Sequence, residues 1–168
     1  MFFYNYFVRP VRRFLVWLEF VKPRIYIGCA LTHAPEEFKR EVELLKTSLR
    51  MDGYKLLEFL GLVAGTERDV YRWDIHHCVA TCDFFVAICD HTSIGLGYEL
   101  AVAVEKLKLP VLAVAHRDAK VTRMILGIES RRYEFKRYDT LDDVARMVRM
   151  WHPITQFDRA MRLVEGKK

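Results

Sequence analysis

The chain is poor in the residues that would staple, anchor or stiffen it. Four cysteines occur in 168 residues, Cys29, Cys78, Cys82 and Cys89, and three of them lie inside or beside apolar runs, where a reduced thiol serves as a small hydrophobe. That excludes the disulfide framework of a small secreted domain and points to a reducing, cytoplasmic setting. Cys78 and Cys82 stand four apart in HHCVATC, but no second ligand pair follows at finger-like spacing, so no metal site is expected. Charge of one sign is never concentrated. The 27 basic residues are interleaved with 22 acidic ones for a formal net charge of +5. The densest basic stretch, RRYEFKRY, alternates like a strand with one solvated face, so no nucleic-acid partner is expected.

An apolar run free of charge and long enough to span a bilayer is also missing. The aromatic opening MFFYNYFVRPVRRFLVWLEFVKP carries Arg9, Arg12 and Arg13 in its middle, each costing about 2.5 to 3.5 kcal/mol at a bilayer centre. No small-residue cleavage site closes it as a leader would require. Residues 1–22 are read as an N-terminal extension, with a short amphipathic helix over 11–21 that packs on protein in preference to touching a membrane surface. With no internal repeat and no low-complexity linker, residues 23–168 are read as one α/β domain.

What is present is regular punctuation. RIYIGCA (24–30) reads as a first strand. APEEFKREVELLKTSLRM follows as a helix with Pro35 at its start and Phe38, Val42, Leu45 and Leu49 at helical spacing. YKLLEFL (54–60) is a second strand, and a helix runs through VYRWDIHHCVAT. DFFVAIC (83–89) is a continuous apolar strand of the kind buried on both faces. A glycine-bearing turn leads to a third helix, YELAVAVEKLK, followed by strands PVLAVA and RRYEFKRY and a last helix, TLDDVARMVRMW. Strands alternating with helices predict a flavodoxin-like, Rossmann-like three-layer sandwich with a five-stranded parallel sheet in the order 2-1-3-4-5. His76 and His77 are expected on a helix surface, His116 at the edge of the site, and Met147, Met150 and Trp151 in the core.

In such a sheet the ligand crevice opens where the strand order reverses, between strands one and three. Its loops are GCALTHAPEE and DHTSIGLGYE, with Asp74 entering from the preceding helix. Gly95 and Gly97 would let the backbone approach a guest, Ser93 would donate a hydroxyl, and Gly28, Thr32 and His33 line the first loop. The free amides of two helix starts suit a phosphate or carboxylate. Glu99 has two readings on its own residues: a first-turn acid that caps a helix, or a carboxylate that does chemistry. Tyr26 is expected to point into the core, and Tyr98 to pack against or orient Glu99.

The run CDFFVAICDHTSIGLGYELAVAVEKLKLPVLAV, with RIYIGCALTH before it, resembles the signature of the nucleoside 2-deoxyribosyltransferase superfamily from Arg24 to Ala115. The resemblance implies that Glu99 is a nucleophile attacking an anomeric carbon, its charge maintained by the helix dipole. It implies a second carboxylate upstream of the third strand, best matched by Asp74, with Asp69 as the fallback. Ser93 stands where transferases of the superfamily carry an acid. The resemblance is therefore closest to the 2'-deoxynucleoside 5'-phosphate N-hydrolase branch, whose substrate phosphate a carboxylate would repel. Hydrolysis, exchange of the sugar between bases, cleavage of NAD and a non-catalytic nucleotide-binding module stay open as readings. The resemblance implies no cofactor, and it implies a homodimer or larger homo-oligomer in which a neighbouring copy completes the site.

Overall fold

The computed structural model describes residues 23–60 and 65–151. The N-terminal extension and the amphipathic helix expected over 11–21 therefore lie outside the described residues.

Five strands, β1 (Arg24–Cys29), β2 (Lys55–Leu57), β3 (Phe84–Ile88), β4 (Val111–His116) and β5 (Tyr133–Tyr138), form one sheet in the order β2-β1-β3-β4-β5. Every pairing is parallel, and the order reverses between β1 and β3, where Gly28 lies opposite Ala87. The fold is the expected three-layer α/β architecture. Helix α1 (Glu36–Met51) begins behind Pro35 with two acids in its first turn. It ends at Gly53, whose φ of 87° few other residues adopt. Helix α2 is α-helical over Glu67–Tyr71 and widens into a π-helix over Arg72–Val79, while α3 does the same over Ile94–Ala101 and Val102–Lys106. A short α4 (Arg123–Leu126) precedes β5, and α5 covers 141–151.

The strictly apolar β3 shows why the sheet is covered twice. Its Phe84, Val86 and Ile88 pack with α1 residues Phe38, Val42, Leu45 and Leu49 and with Val144, Val148 and Trp151 of α5. Phe85 and Ala87 pack with Cys78 and Val79 of α2 and with Leu96, Leu100 and Val104 of α3. Strand alternation thus sends successive side chains into two separate cores, each closed by two helices.

Four expectations shift. The second strand is shorter than 54–60, because the backbone of Glu58 to Leu60 turns to other partners described below. The third helix starts at Ile94, not Tyr98, because Ser93 caps it and its oxygen accepts the Leu96 N–H at 3.2 Å. The glycine turn is therefore the helix's own first turn. Met150 is 72% exposed, on the outer face of α5, whereas Trp151 is buried and Met147 packs against the core. The helix α4 was not foreseen.

Candidate active site

Tyr26 and Gly28 are two apart on β1, so both face the side covered by α2 and α3. Glu99 descends from the second turn of α3 and lays its carboxylate on them. The Tyr26 hydroxyl donates to Glu99 Oε1 at 3.1 Å. A Cβ on Gly28 would stand 2.8 Å from Glu99 Oε2 and 2.8 Å from the Phe85 ring, so no side chain fits beneath the carboxylate. Tyr26 is buried as expected, but its hydroxyl is spent on the carboxylate. Strand parity was the signal that could have found this, since the residue two before a glycine covered by α3 shares its face.

Glu99 lies beyond the first turn of its helix, which carries no acid, and the dipole's influence falls off within that turn. The expectation that the dipole keeps it ionised is thus corrected. Burial pushes its carboxyl up to about 7, against the Tyr26 hydrogen bond and with a further upward push from the charge of Asp74. Burial, and then Glu99 itself, drive the Tyr26 phenol far above its ordinary value, so it remains a neutral donor.

Asp74 sits in the π-helical half of α2. Its Oδ1 accepts the Leu60 N–H at 3.2 Å. Burial raises its carboxyl, with the Leu60 hydrogen bond opposing. Asp69 has other duties: its Oδ2 accepts from the Thr66 N–H at 2.9 Å and from the Thr66 hydroxyl at 2.8 Å, closing a capping box. These bonds hold its carboxyl below the usual range. Asp74, and not Asp69, shares a cleft with Glu99.

That cleft has a volume of about 300 Å³. Tyr26, Cys29, Leu31, Thr32, Ser93, Gly95 and Leu96 line it with the two carboxylates, and Phe59, Leu60 and Val70 form its wall on the β2 side. A second recess of about 410 Å³ shares Leu31, Thr32, Ser93 and Gly95 with the cleft and adds His33, Thr92 and Ile94 around the start of α3. Thr32, His33, Ser93 and Gly95 thus gather at the outer end. Ser93 spends its oxygen's lone pair on the cap and keeps its hydroxyl proton for a guest. Gly28 lies under Glu99 instead of in the first loop. Gly97 borders a separate cavity of about 110 Å³ with Cys89, Leu100 and Lys120.

Tyr98 is half exposed and leans on the Tyr71 ring, with centroids 6.2 Å apart, so it does not orient Glu99. His116 stacks edge-on against Tyr138. Sequence reasoning missed Asp90, two residues after β3. Its Oδ1 accepts the His116 N–H at 2.7 Å, and its Oδ2 accepts the Tyr138 hydroxyl, tying β3 to β4 and β5.

The β2-side wall is pinned from both layers. Lys46 of α1, 2% exposed, is the one buried charged side chain among the described residues. Its Nζ donates to Glu43 at 2.7 Å and to Glu58 at 2.9 Å, and lies 5.2 Å from the Phe59 ring centroid. Burial alone would lower its pKa, but the bonds to Glu43 and Glu58 outweigh that and raise it, so the ammonium stays charged. Arg50 holds the other Glu58 oxygen. The Glu58 carbonyl accepts from the Trp73 indole at 2.7 Å and from the Cys78 thiol at 3.2 Å.

All four cysteines are free thiols. Cys82, like Cys78, is committed to a backbone carbonyl, its thiol donating to Val79 at 3.3 Å. Among the described residues, no group of three or more His, Cys, Asp or Glu stands ready to hold a metal ion. No described helix is long and apolar enough to cross a membrane.

Two carboxylates lining one cleft of mixed polar and apolar walls, beside a serine-capped helix start, are the groups that carboxylate chemistry on a small polar ligand requires. Among solved structures, the chain is similar in fold to the Clostridium botulinum CMP N-glycosidase BcmB, with a TM-score of 0.61 and 15% sequence identity over 76% of this chain and 98% of that one. Neither a protein-family model nor a curated protein sequence matches it.

Proposed function

We propose that the protein hydrolyses the N-glycosidic bond of a nucleoside 5'-monophosphate, preferring the deoxynucleotide, with Glu99 as nucleophile and Asp74 as its assisting carboxylate. The observation that carries this reading is the placement of Glu99: a half-buried carboxylate steadied at one oxygen by Tyr26, seated on the bare backbone of Gly28, and sharing its cleft with Asp74. The fold it shares with a protein named as a CMP N-glycosidase supports the same substrate class.

The chemistry follows from the positions. The sugar's anomeric carbon lies against Glu99, so the 5'-phosphate extends towards Ser93, Thr32 and His33, and the base towards Phe59, Leu60 and Val70. An ionised Glu99 oxygen attacks the anomeric carbon, and the bond to the base nitrogen breaks with its electron pair leaving on the base. Asp74, the carboxylate whose charge joins burial in raising Glu99, holds a water that gives the departing nitrogen its proton. The hydroxide left by that water attacks the same carbon, the glycosyl ester opens, and sugar 5-phosphate leaves with Glu99 restored. Serine at position 93 favours a phosphate where a carboxylate would repel it, which also favours water over a second base as acceptor. Two copies are part of this reading. Tyr71, Trp73 and Tyr98 stay exposed on α2 and α3, an aromatic surface suited to a second subunit. The free thiols suit a reducing, cytoplasmic setting.

The test is chromatography of free base released from a panel of ribo- and deoxynucleoside monophosphates. Wild type should release base from at least one, and Glu99→Gln should lose at least about a hundredfold in rate. Added free base that diverts the product into a new nucleotide would replace hydrolysis by transfer. Tight nucleotide binding without base release, unchanged in Glu99→Gln, would leave only a binding module.

A further inference from the structure

Lys46 does not touch the cleft, yet it is a fully buried charge, and such groups are costly unless every bond is met. Its partners explain where its influence goes. Glu58, Phe59 and Leu60 leave β2 in sequence, and each is held: Glu58 by Lys46 and Arg50 from one layer and by Trp73 and Cys78 from the other, Phe59 beneath the Lys46 ammonium, and Leu60 by its N–H on Asp74. Helix α1 packs in one core and α2 in the other, so this short run clamps the two layers together at the rim of the cleft. Phe59 and Leu60 are also the wall facing Glu99.

Resting on the N-glycosidase reading, we infer that Lys46 is a positioning residue for base recognition: it fixes the Glu58–Leu60 run so that Phe59 presents a preset surface to the base, at the end of the cleft away from Ser93. A ring whose place is fixed before binding saves the cost of ordering it on contact, and an aromatic face accepts a planar base by stacking. The sugar and phosphate meet other elements, the first loop and the start of α3, which Lys46 does not hold.

The consequence is a split between ligands with and without a base. Calorimetric titrations in a Glu99→Gln background, where the nucleotide is not consumed, should compare a nucleoside 5'-monophosphate from which the wild type releases base with the sugar phosphate that matches it, ribose 5-phosphate or its 2-deoxy form. Adding Lys46→Met should weaken the nucleotide about tenfold and leave the sugar phosphate within twofold, and Lys46→Arg should restore most of the loss. Phe59→Leu, at the wall itself, should reproduce the split and decides the matter if Lys46→Met fails to fold. Equal losses for both ligands, or no loss for either, would overturn the inference while leaving the N-glycosidase reading intact. A parent protein that binds the sugar phosphate and no nucleotide would overturn both.

Discussion

Two carboxylates stand at the carboxyl ends of the parallel strands, and each accepts a hydrogen bond from a buried tyrosine. Asp90 has both oxygens engaged in that geometry. One oxygen takes the His116 N–H and the other the Tyr138 hydroxyl, and the result is a brace across three strands. Glu99 has one oxygen on Tyr26 and the other resting on Gly28, with open cleft in front. The chemical pair is the same in both places. What separates a brace from a candidate nucleophile is whether both oxygens are engaged and whether a ligand can reach them.

Breaking each pair should therefore read out differently. The largest effect expected is the loss of at least about a hundredfold in base release for Glu99→Gln, whereas Asp90→Ala should keep release within about threefold. Gly28→Ala comes next. Its Cβ would enter the space of Glu99 Oε2 and the Phe85 ring, and turnover should fall roughly thirtyfold, because a displacement of a few tenths of an ångström at the nucleophile is magnified in the transition state. An alanine variant with normal turnover would show that Glu99 does not rest there during reaction.

Tyr26→Phe should cost about tenfold in kcat/KM at neutral pH. Its pH profile is the sharper measurement. On the proposed mechanism Glu99 attacks in its ionised form, and its carboxyl is raised to about 7, so kcat/KM of the wild type should fall as pH drops through about 7. The Tyr26 bond pulls that value down; removing it should move the acid limb to higher pH. A limb that stays in place would detach Tyr26 from the titration.

The smallest effects are on stability and have opposite signs. Asp90→Ala leaves the Tyr138 hydroxyl and the His116 amide without their acceptor, at about 1 to 3 kcal/mol each, and Tm should fall by at least about 5 °C. Glu99→Gln should raise it. A carboxyl at 4.5 in the unfolded chain and about 7 in the folded one binds its proton more tightly when folded. Its contribution therefore weakens as pH rises from about 4.5 through about 7. The neutral glutamine escapes that loss, so its advantage in thermal melts should be small near pH 5 and reach about 3 °C or more near pH 8.

Much of the fold was legible because buried parallel strands write themselves as unbroken apolar runs. FFVAI needed no alternation to declare burial on both faces, and the spacing of Phe38, Val42, Leu45 and Leu49 declared a helix. The start of α3 was harder. Two glycines in Ile-Gly-Leu-Gly speak locally for a turn, but Ser93 caps the segment and the packing of Leu96 and Leu100 in the core overrides propensity. That shift placed Glu99 in the second turn and removed the dipole as the source of its charge. Its raised carboxyl, the choice of Asp74 over Asp69 and the burial of Lys46 all depend on residues far apart in the chain, which no local pattern encodes.

Gly28 has a bearing on how this cleft can be redesigned. Beneath the carboxylate the floor is main chain, already engaged with its sheet neighbours, and every side chain larger than hydrogen is shut out. Point changes can recut the walls at Phe59, Leu60 and Val70 or the rim at Ser93 and His33, but the surface under the Glu99 carboxylate is the same peptide whatever the substitution. New ligand preferences in this scaffold are therefore to be sought in the walls, with the floor as the part that stays constant.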